Sequence, residues 1–326
     1  MARVLREDTD HYAALITAEM GKPITEAHAE IEKCAMTCEY YAEHAPEQLA
    51  DRPVASNATE SAVVYDPLGV AVTLTGSTEV GAIVAAQAAA LKKQVLELGG
   101  SDPFVVLADA DIEAAAATAV RARYVNVGQS CVNAKRFIVE EAVADAFVAA
   151  FTTAAAELKV GDPTDPETAI GPMARSNLRD TLHDQVRRTV DAGAHLLLGG
   201  EIPDGPGCYY PPTVLDHARP GMAAFDEETF GPVAAITRVA DTDEAIALAN
   251  RTEYGLGAAL WTGDLDRARR LTRLLETGAV FVNGMVASDP RLPFGGIKKS
   301  GYGRELGAEG IREFVNTKTV WIGPAT

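Results

Sequence analysis

Cys131 closes the stretch Asn126-Val127-Gly128-Gln129-Ser130-Cys131, a glycine-bearing turn that delivers a single thiol. Upstream, Glu97 stands at the end of an apolar run and before a glycine pair, in Leu96-Glu97-Leu98-Gly99-Gly100. A thiol attacks carbon as the thiolate, and a neighbouring base or positive dipole is the usual means of activating it. A carboxylate where a strand gives way to a flexible turn is placed to serve as a base. The same residue types also fit a small buried hydrophobe and an ordinary turn acid, so the residues alone leave both readings open.

Such a pair needs a scaffold of strands that end in turns, and the chain alternates strand and helix patterns over most of its length. Residues 4–48 carry helical spacing, broken at Gly21-Lys22-Pro23, with a second helix expected from about Thr25 to His44. Ser61–Tyr65 reads as a strand. So does Val70–Thr75, which ends in Gly76-Ser77 and opens an alanine-rich helix over about Thr78–Leu91. A strand, a tight turn and a helix N-terminus form a geometry that can face an anion, although no GxGxxG follows. Further strands are predicted at Gln94–Leu98, Phe104–Leu107, Arg136–Val139, Ala194–Leu198, Gly257–Trp261 and Ala279–Val282. Helices are predicted at Ile112–Tyr124, Ala142–Leu158, Arg175–Ala192, Ala245–Asn250 and Leu265–Glu276. This alternation implies parallel α/β layers. A glycine-dense stretch, Pro293-Phe294-Gly295-Gly296 to Gly301-Tyr302-Gly303, precedes a last strand at Phe314–Trp321 that could pair with a partner subunit's sheet.

The 326 residues suffice for one or two domains, and a net charge of −17 argues against non-specific binding to nucleic acid or anionic membrane. The cysteines Cys34, Cys38, Cys131 and Cys208 form no CxxC pair, which suggests a reduced compartment without a disulfide framework. No metal site is expected, since Cys34 and Cys38 alone complete none and His183, His195 and His217 lack ligand spacing. The first residues, MARVLREDTD, contain no apolar core of a signal peptide, and a cytoplasmic location is expected.

The Glu97 and Cys131 motifs, at this spacing, resemble the two signatures of the aldehyde dehydrogenase superfamily. The likeness extends to Thr75-Gly76-Ser77-Thr78-Glu79-Val80-Gly81, Glu228-Thr229-Phe230-Gly231-Pro232, Val282-Asn283, Pro293-Phe294-Gly295-Gly296 and Lys299-Ser300-Gly301. Within the superfamily, Gly100-Ser101-Asp102-Pro103-Phe104 and Ser300-Gly301-Tyr302-Gly303-Arg304-Glu305-Leu306 are most similar to bacterial succinate-semialdehyde dehydrogenases. The resemblance implies an α/β fold of three parts. These are a truncated Rossmann-like nucleotide-binding domain with N-terminal helices (residues 1–96), a parallel αβ catalytic domain (residues 97–283), and a C-terminal loop with an oligomerisation strand (residues 284–326). It further implies a homo-oligomer, dimer or tetramer, that uses NAD or NADP. Cys131 would be the nucleophile, and Glu97 the base that activates the water hydrolysing a thioester. Gly76, Ser77, Gly81, Leu98, Glu228 and Phe230 would meet the cofactor: Gly76 and Ser77 at the pyrophosphate, Glu228 at a ribose, Phe230 near the nicotinamide.

Departures from the family pattern bear on both cofactor and substrate. The chain begins inside helical sequence, so the family's N-terminal segment is shortened. More consequentially, Pro67-Leu68-Gly69-Val70 runs straight into Ala71-Val72-Thr73-Leu74-Thr75-Gly76. The family places the first part of its nucleotide-binding domain between these pieces. That part carries a Pro-Trp-Asn-Phe-Pro motif with an oxyanion-binding amide, and a lysine for the adenosine ribose or its phosphate. The only tryptophans here are Trp261 and Trp321. Some succinate-semialdehyde dehydrogenases hold the distal carboxylate with an arginine six positions before the cysteine, where this chain has Val125. Arg123 and Arg291 are substitutes by position, with Ser288 and Phe294 as further candidates for the pocket wall. Two expectations follow. One is an NAD(P)-dependent dehydrogenase of succinate semialdehyde. The other is an impaired family member that acts as a non-catalytic subunit or retains only esterase activity.

Overall fold

The computed structural model describes residues 1–90 and 92–324. Three helices open the chain: α1 (Ala2–Glu7), α2 (Thr9–Met20) and α3 (Ile24–Gln48). The break between the last two is the expected one, because Gly21 takes a left-handed φ of 78° at the C-cap and Pro23 precedes the next helix. Strands β1 (Arg52–Pro53) and β2 (Glu60–Pro67) follow, then β3 (Val72–Thr75), α4 (Thr78–Ala88) and β4 (Gln94–Glu97).

The central unit comprises β5 (Asp102–Val106), α5 (Ile112–Tyr124), β6 (Ala134–Glu140), α6 (Glu141–Ala156), α7 (Ser176–Asp191), β7 (His195–Leu198), β8 (Thr213–Asp216), α8 (Ala223–Asp226), β9 (Val233–Val239), α9 (Thr242–Asn250), β10 (Gly257–Trp261), α10 (Leu265–Leu271) and β11 (Ala279–Val282). Its seven strands run in the order β11-β10-β5-β6-β9-β8-β7, parallel throughout except for the antiparallel edge β7. Asp111, Asp241 and Asp264 cap α5, α9 and α10 by accepting from backbone N–H groups of the first turn. On one sheet face, Phe104, Phe137, Phe147 and Phe151 pack together fully buried. Burying each such side chain contributes about 1.5–3 kcal/mol.

The chain ends with β12 (Gly301–Tyr302), α11 (Gly307–Arg312) and β13 (Val315–Ile322). The two smaller sheets draw on both ends of the chain, because β13 pairs with β2 and β12 pairs with β4. The second of these pairings matters for the site, since the register Gly301↔Glu97 brings the C-terminal loop onto the strand that ends in the acid.

The small sheet β12-β4-β3 ends at β3, which among the described residues pairs with β4 alone. Helix α4 is apolar in sequence, yet Gly81 is its only buried residue, and Val80 and Ile83 remain 47% and 53% exposed. An open parallel edge beside a half-bare apolar helix is an incomplete α/β layer. Among the described residues, no helix is long and apolar enough to cross a membrane.

Candidate active site

The thiol loop is built on a rare backbone. Asn126 and Val127 both take φ of 57° and Gly128 takes 68°, so three successive residues are left-handed. For a β-branched residue this is an outlier that persists only where its surroundings over-determine it. They do so here. The Asn126 N–H donates to Glu26 Oε2 at 2.7 Å, and Asn126 Nδ2 donates to the Gln129 carbonyl at 2.8 Å. The Ser130 N–H donates to Asn133 Oδ1 at 2.7 Å, while Asn133 Nδ2 donates to the Ala122 carbonyl at 2.9 Å.

Arg123 ties this loop to the segment that carries Glu228 and Phe230. Its guanidinium donates to the carbonyls of Gly128 (2.7 Å) and Ala134 (3.0 Å), and also to that of Gly231. The side chain is wholly enclosed. This corrects its reading as a substrate ligand, since a buried guanidinium bound to carbonyl oxygens has no free face for a carboxylate. Arg291 is no better placed. It is exposed and paired with Asp289 at 2.5 Å, two residues away in its own loop.

The turn after Glu97 and the backbone of the thiol loop meet at Gly100. A Cβ there would lie 2.5 Å from the Cys131 carbonyl oxygen, so the turn after Glu97 fits against the thiol loop only as glycine. The Pro293–Gly296 loop closes from the other side, where a Cβ at Gly295 would stand 2.7 Å from Glu97 Oε1. Ser300 fastens the assembly by donating to the Gly99 carbonyl at 2.7 Å and accepting from the Gly255 N–H at 3.0 Å. Glu97 itself is buried, and among the described residues neither carboxylate oxygen has a hydrogen-bond partner. Desolvation, with Glu305 adding to it, lifts its carboxyl to about 8. A carboxyl held dry and unpartnered, close enough to a thiol to act on it electrostatically, is suited to exchanging protons near neutral pH.

Sequence reasoning missed Lys135. It is fully buried on β6, donates to the Cys131 carbonyl at 3.0 Å and stands 3.6 Å from Glu228 Oε1. The only signal for it was a pair of cations, Lys135-Arg136, inside an otherwise apolar strand. Glu228 also accepts from the Gly100 N–H at 2.9 Å, so its carboxylate belongs to the same cluster. Burial pushes the Cys131 thiol up to about 11; Lys135 opposes this, while Asp102, Glu97 and Glu228 add to it. The thiolate fraction should therefore keep growing through the alkaline range. Alkylation of Cys131 by iodoacetamide is expected to accelerate roughly tenfold per pH unit from pH 7 to 10. Peptide mapping of the modified thiol checks this, and a rate that levels off below pH 8 contradicts it.

The remaining sequence candidates fall in two places. Ser77 caps α4 by accepting from the Val80 N–H at 3.3 Å, next to Gly76. Gly81 and Leu98 pack on each other, since a Cβ at Gly81 would meet the Leu98 side chain at 2.3 Å. They hold α4 against the turn that follows Glu97. Ser288 and Phe294 line a cavity of about 1210 Å³ bounded by α3, the end of α5 and the thiol loop, with Asn126 and Ser130 in its wall.

The aldehyde dehydrogenase family matches residues 1–74 and 71–320. The chain belongs to the aldehyde dehydrogenase family. It is 44% identical to succinate semialdehyde dehydrogenase [NAD(P)+] Sad of Escherichia coli (strain K12), a match spanning 98% of this chain and 86% of that protein. It is 43% identical to the probable succinate-semialdehyde dehydrogenase [NADP(+)] of Synechocystis sp., spanning 98% and 88%. The crystal structure of succinic semialdehyde dehydrogenase from Streptococcus pyogenes, in complex with NADP+, superposes with a TM-score of 0.96 at 32% identity, covering 99% of this chain and 88% of that one. By family the chain is an oxidoreductase, an NAD(P)-dependent aldehyde dehydrogenase with the fold of its relatives. The match to the E. coli protein spans 399 positions against 326 residues here, so at least 73 positions face a gap. The family match breaks at residues 71–74, which locates that gap at β3. The open sheet edge is where those residues are missing.

Proposed function

We propose that this site oxidises a short semialdehyde, succinate semialdehyde foremost, through covalent attack by Cys131. The observation that carries the reading is the contact at Gly100, which joins the turn after Glu97 to the backbone of Cys131. Cys131 releases its thiol proton to solvent, its Sγ adds to the aldehyde carbon as the C=O π bond opens, and a backbone N–H of the thiol loop holds the resulting oxyanion. Bound NAD(P) supplies the acceptor for the hydride that leaves this carbon. Glu97 then takes a proton from water, the water oxygen adds to the thioester carbon, and the C–S bond breaks to release the acid, the departing sulfur taking the proton back from Glu97 to restore the thiol.

The residues present fit the nicotinamide end of a dinucleotide. Glu228, held by Gly100 and Lys135, and the half-exposed Phe230 would border that end, with the start of α4 at Gly76-Ser77 facing the phosphates. Among the described residues, no strand lies beyond β3 to carry the adenosine end. That open edge favours a second reading, in which acyl transfer survives and oxidation is impaired. The test is NAD(P)H absorbance with purified protein, succinate semialdehyde and each cofactor in turn. Cysteine-dependent turnover supports oxidation. No turnover with either cofactor, together with Cys131-dependent ester hydrolysis, moves the assignment to the second reading.

A further inference from the structure

We propose that Lys33, seconded by Ser288, is the specificity-determining anchor for a carboxylate at the far end of the substrate. This deepens the semialdehyde reading and rests on it. Lys33 lies on α3 and Ser288 lies 255 residues later, yet Lys33 Nζ donates to Ser288 Oγ at 2.5 Å in the wall of the cavity that also holds Ser130, the neighbour of the nucleophile. Three cations line this cavity: Lys22, Lys33 and Arg121. Lys22 is paired with Glu30, and Arg121 is exposed and adjoins Glu26. Lys33 is half-buried, and among the described residues it forms no ion pair. Asp289, an acid that feels the charge of Lys33, already receives two hydrogen bonds from the Arg291 side chain. The arginines suggested by sequence position are both accounted for elsewhere, Arg123 by carbonyls and Arg291 by Asp289. Glu26, Glu30, Glu167 and Glu305 also line the cavity, but none of them pairs with Lys33, whose half-buried ammonium has a neutral hydroxyl as its side-chain hydrogen-bond partner. A ligand carboxylate could accept from Lys33 Nζ and from the Ser288 hydroxyl together.

Calorimetric titration with succinate, which carries the carboxylate without needing catalysis, tests the anchor. Wild-type protein should bind succinate more tightly than the neutral butyramide. Lys33→Met should weaken succinate binding by roughly 10- to 100-fold, the loss of one charge-assisted hydrogen bond, and Lys33→Arg should retain most of it. Where NAD(P)H formation is measurable, the ratio of kcat/KM for succinate semialdehyde to that for butanal should fall by about the same factor in Lys33→Met. Unchanged succinate binding in Lys33→Met, or wild-type protein that does not prefer succinate to butyramide, overturns the anchor. Failure to oxidise any aldehyde bears on the oxidation reading instead, and leaves the binding result to stand or fall alone.

Discussion

Restoring the missing stretch at the break within residues 71–74, by grafting the corresponding 73 or more residues of a relative, should raise NAD(P)H formation at least about 10²–10³-fold. That range is the cost of losing one oxyanion donor, and the grafted stretch brings both the amide that the family resemblance assigns there and the strands that would flank β3. Hydrolysis of p-nitrophenyl acetate should change far less. It needs only a nucleophile, a backbone N–H and a water activator, and the chain already has Cys131 and Glu97. The graft should also cover Val80 and Ile83, which now stand half exposed, and so reduce aggregation. Parallel dehydrogenase and esterase assays on the two proteins check the prediction. Ordinary dehydrogenase rates without the graft would show that the segment is dispensable.

Replacing Arg123 with methionine should destabilise the protein by on the order of 3 kcal/mol, the consequence of leaving several buried carbonyls without a donor. Removal of a buried charge offsets part of the loss, because burial already lowers the affinity of this guanidinium for its proton. The effect should reach the chemistry too, since Arg123 joins the carbonyl of Gly128 to that of Gly231 and so sets the thiol loop against the Glu228 segment. Denaturant unfolding with a Cys131 alkylation readout measures both. A midpoint unchanged from wild type would show that the carbonyls find other donors and that Arg123 is not the clamp.

The sequence was most legible where local physics decides the structure. Helix Ile112–Tyr124 could be read to the residue, because Asp111 caps it and its alanines favour helix. The strand Val233–Val239 was not seen, since it is almost wholly buried and shows no polar alternation. Cys131 and Glu97 announced themselves through glycine turns, but the reason for those glycines did not. That reason is tertiary: Gly100 meets the Cys131 carbonyl, and Gly295 meets the Glu97 carboxylate. Arg123 was misread for the same cause, because no local pattern tells which carbonyls will converge on a guanidinium. Lys33 was invisible as a site residue until the fold brought Ser288 to it across 255 positions.

The proposed oxidation requires Cys131 to act as an acyl-accepting nucleophile and Glu97 as the hydrolytic base. Quenched reactions with p-nitrophenyl acetate, followed by mass spectrometry of the digested protein, test this most directly. A single acetyl group is expected on the Cys131 peptide, transient in the wild type and persistent in Glu97→Gln. Acetylation confined to lysines or to another cysteine, or a Cys131 adduct equally short-lived in Glu97→Gln, would contradict it.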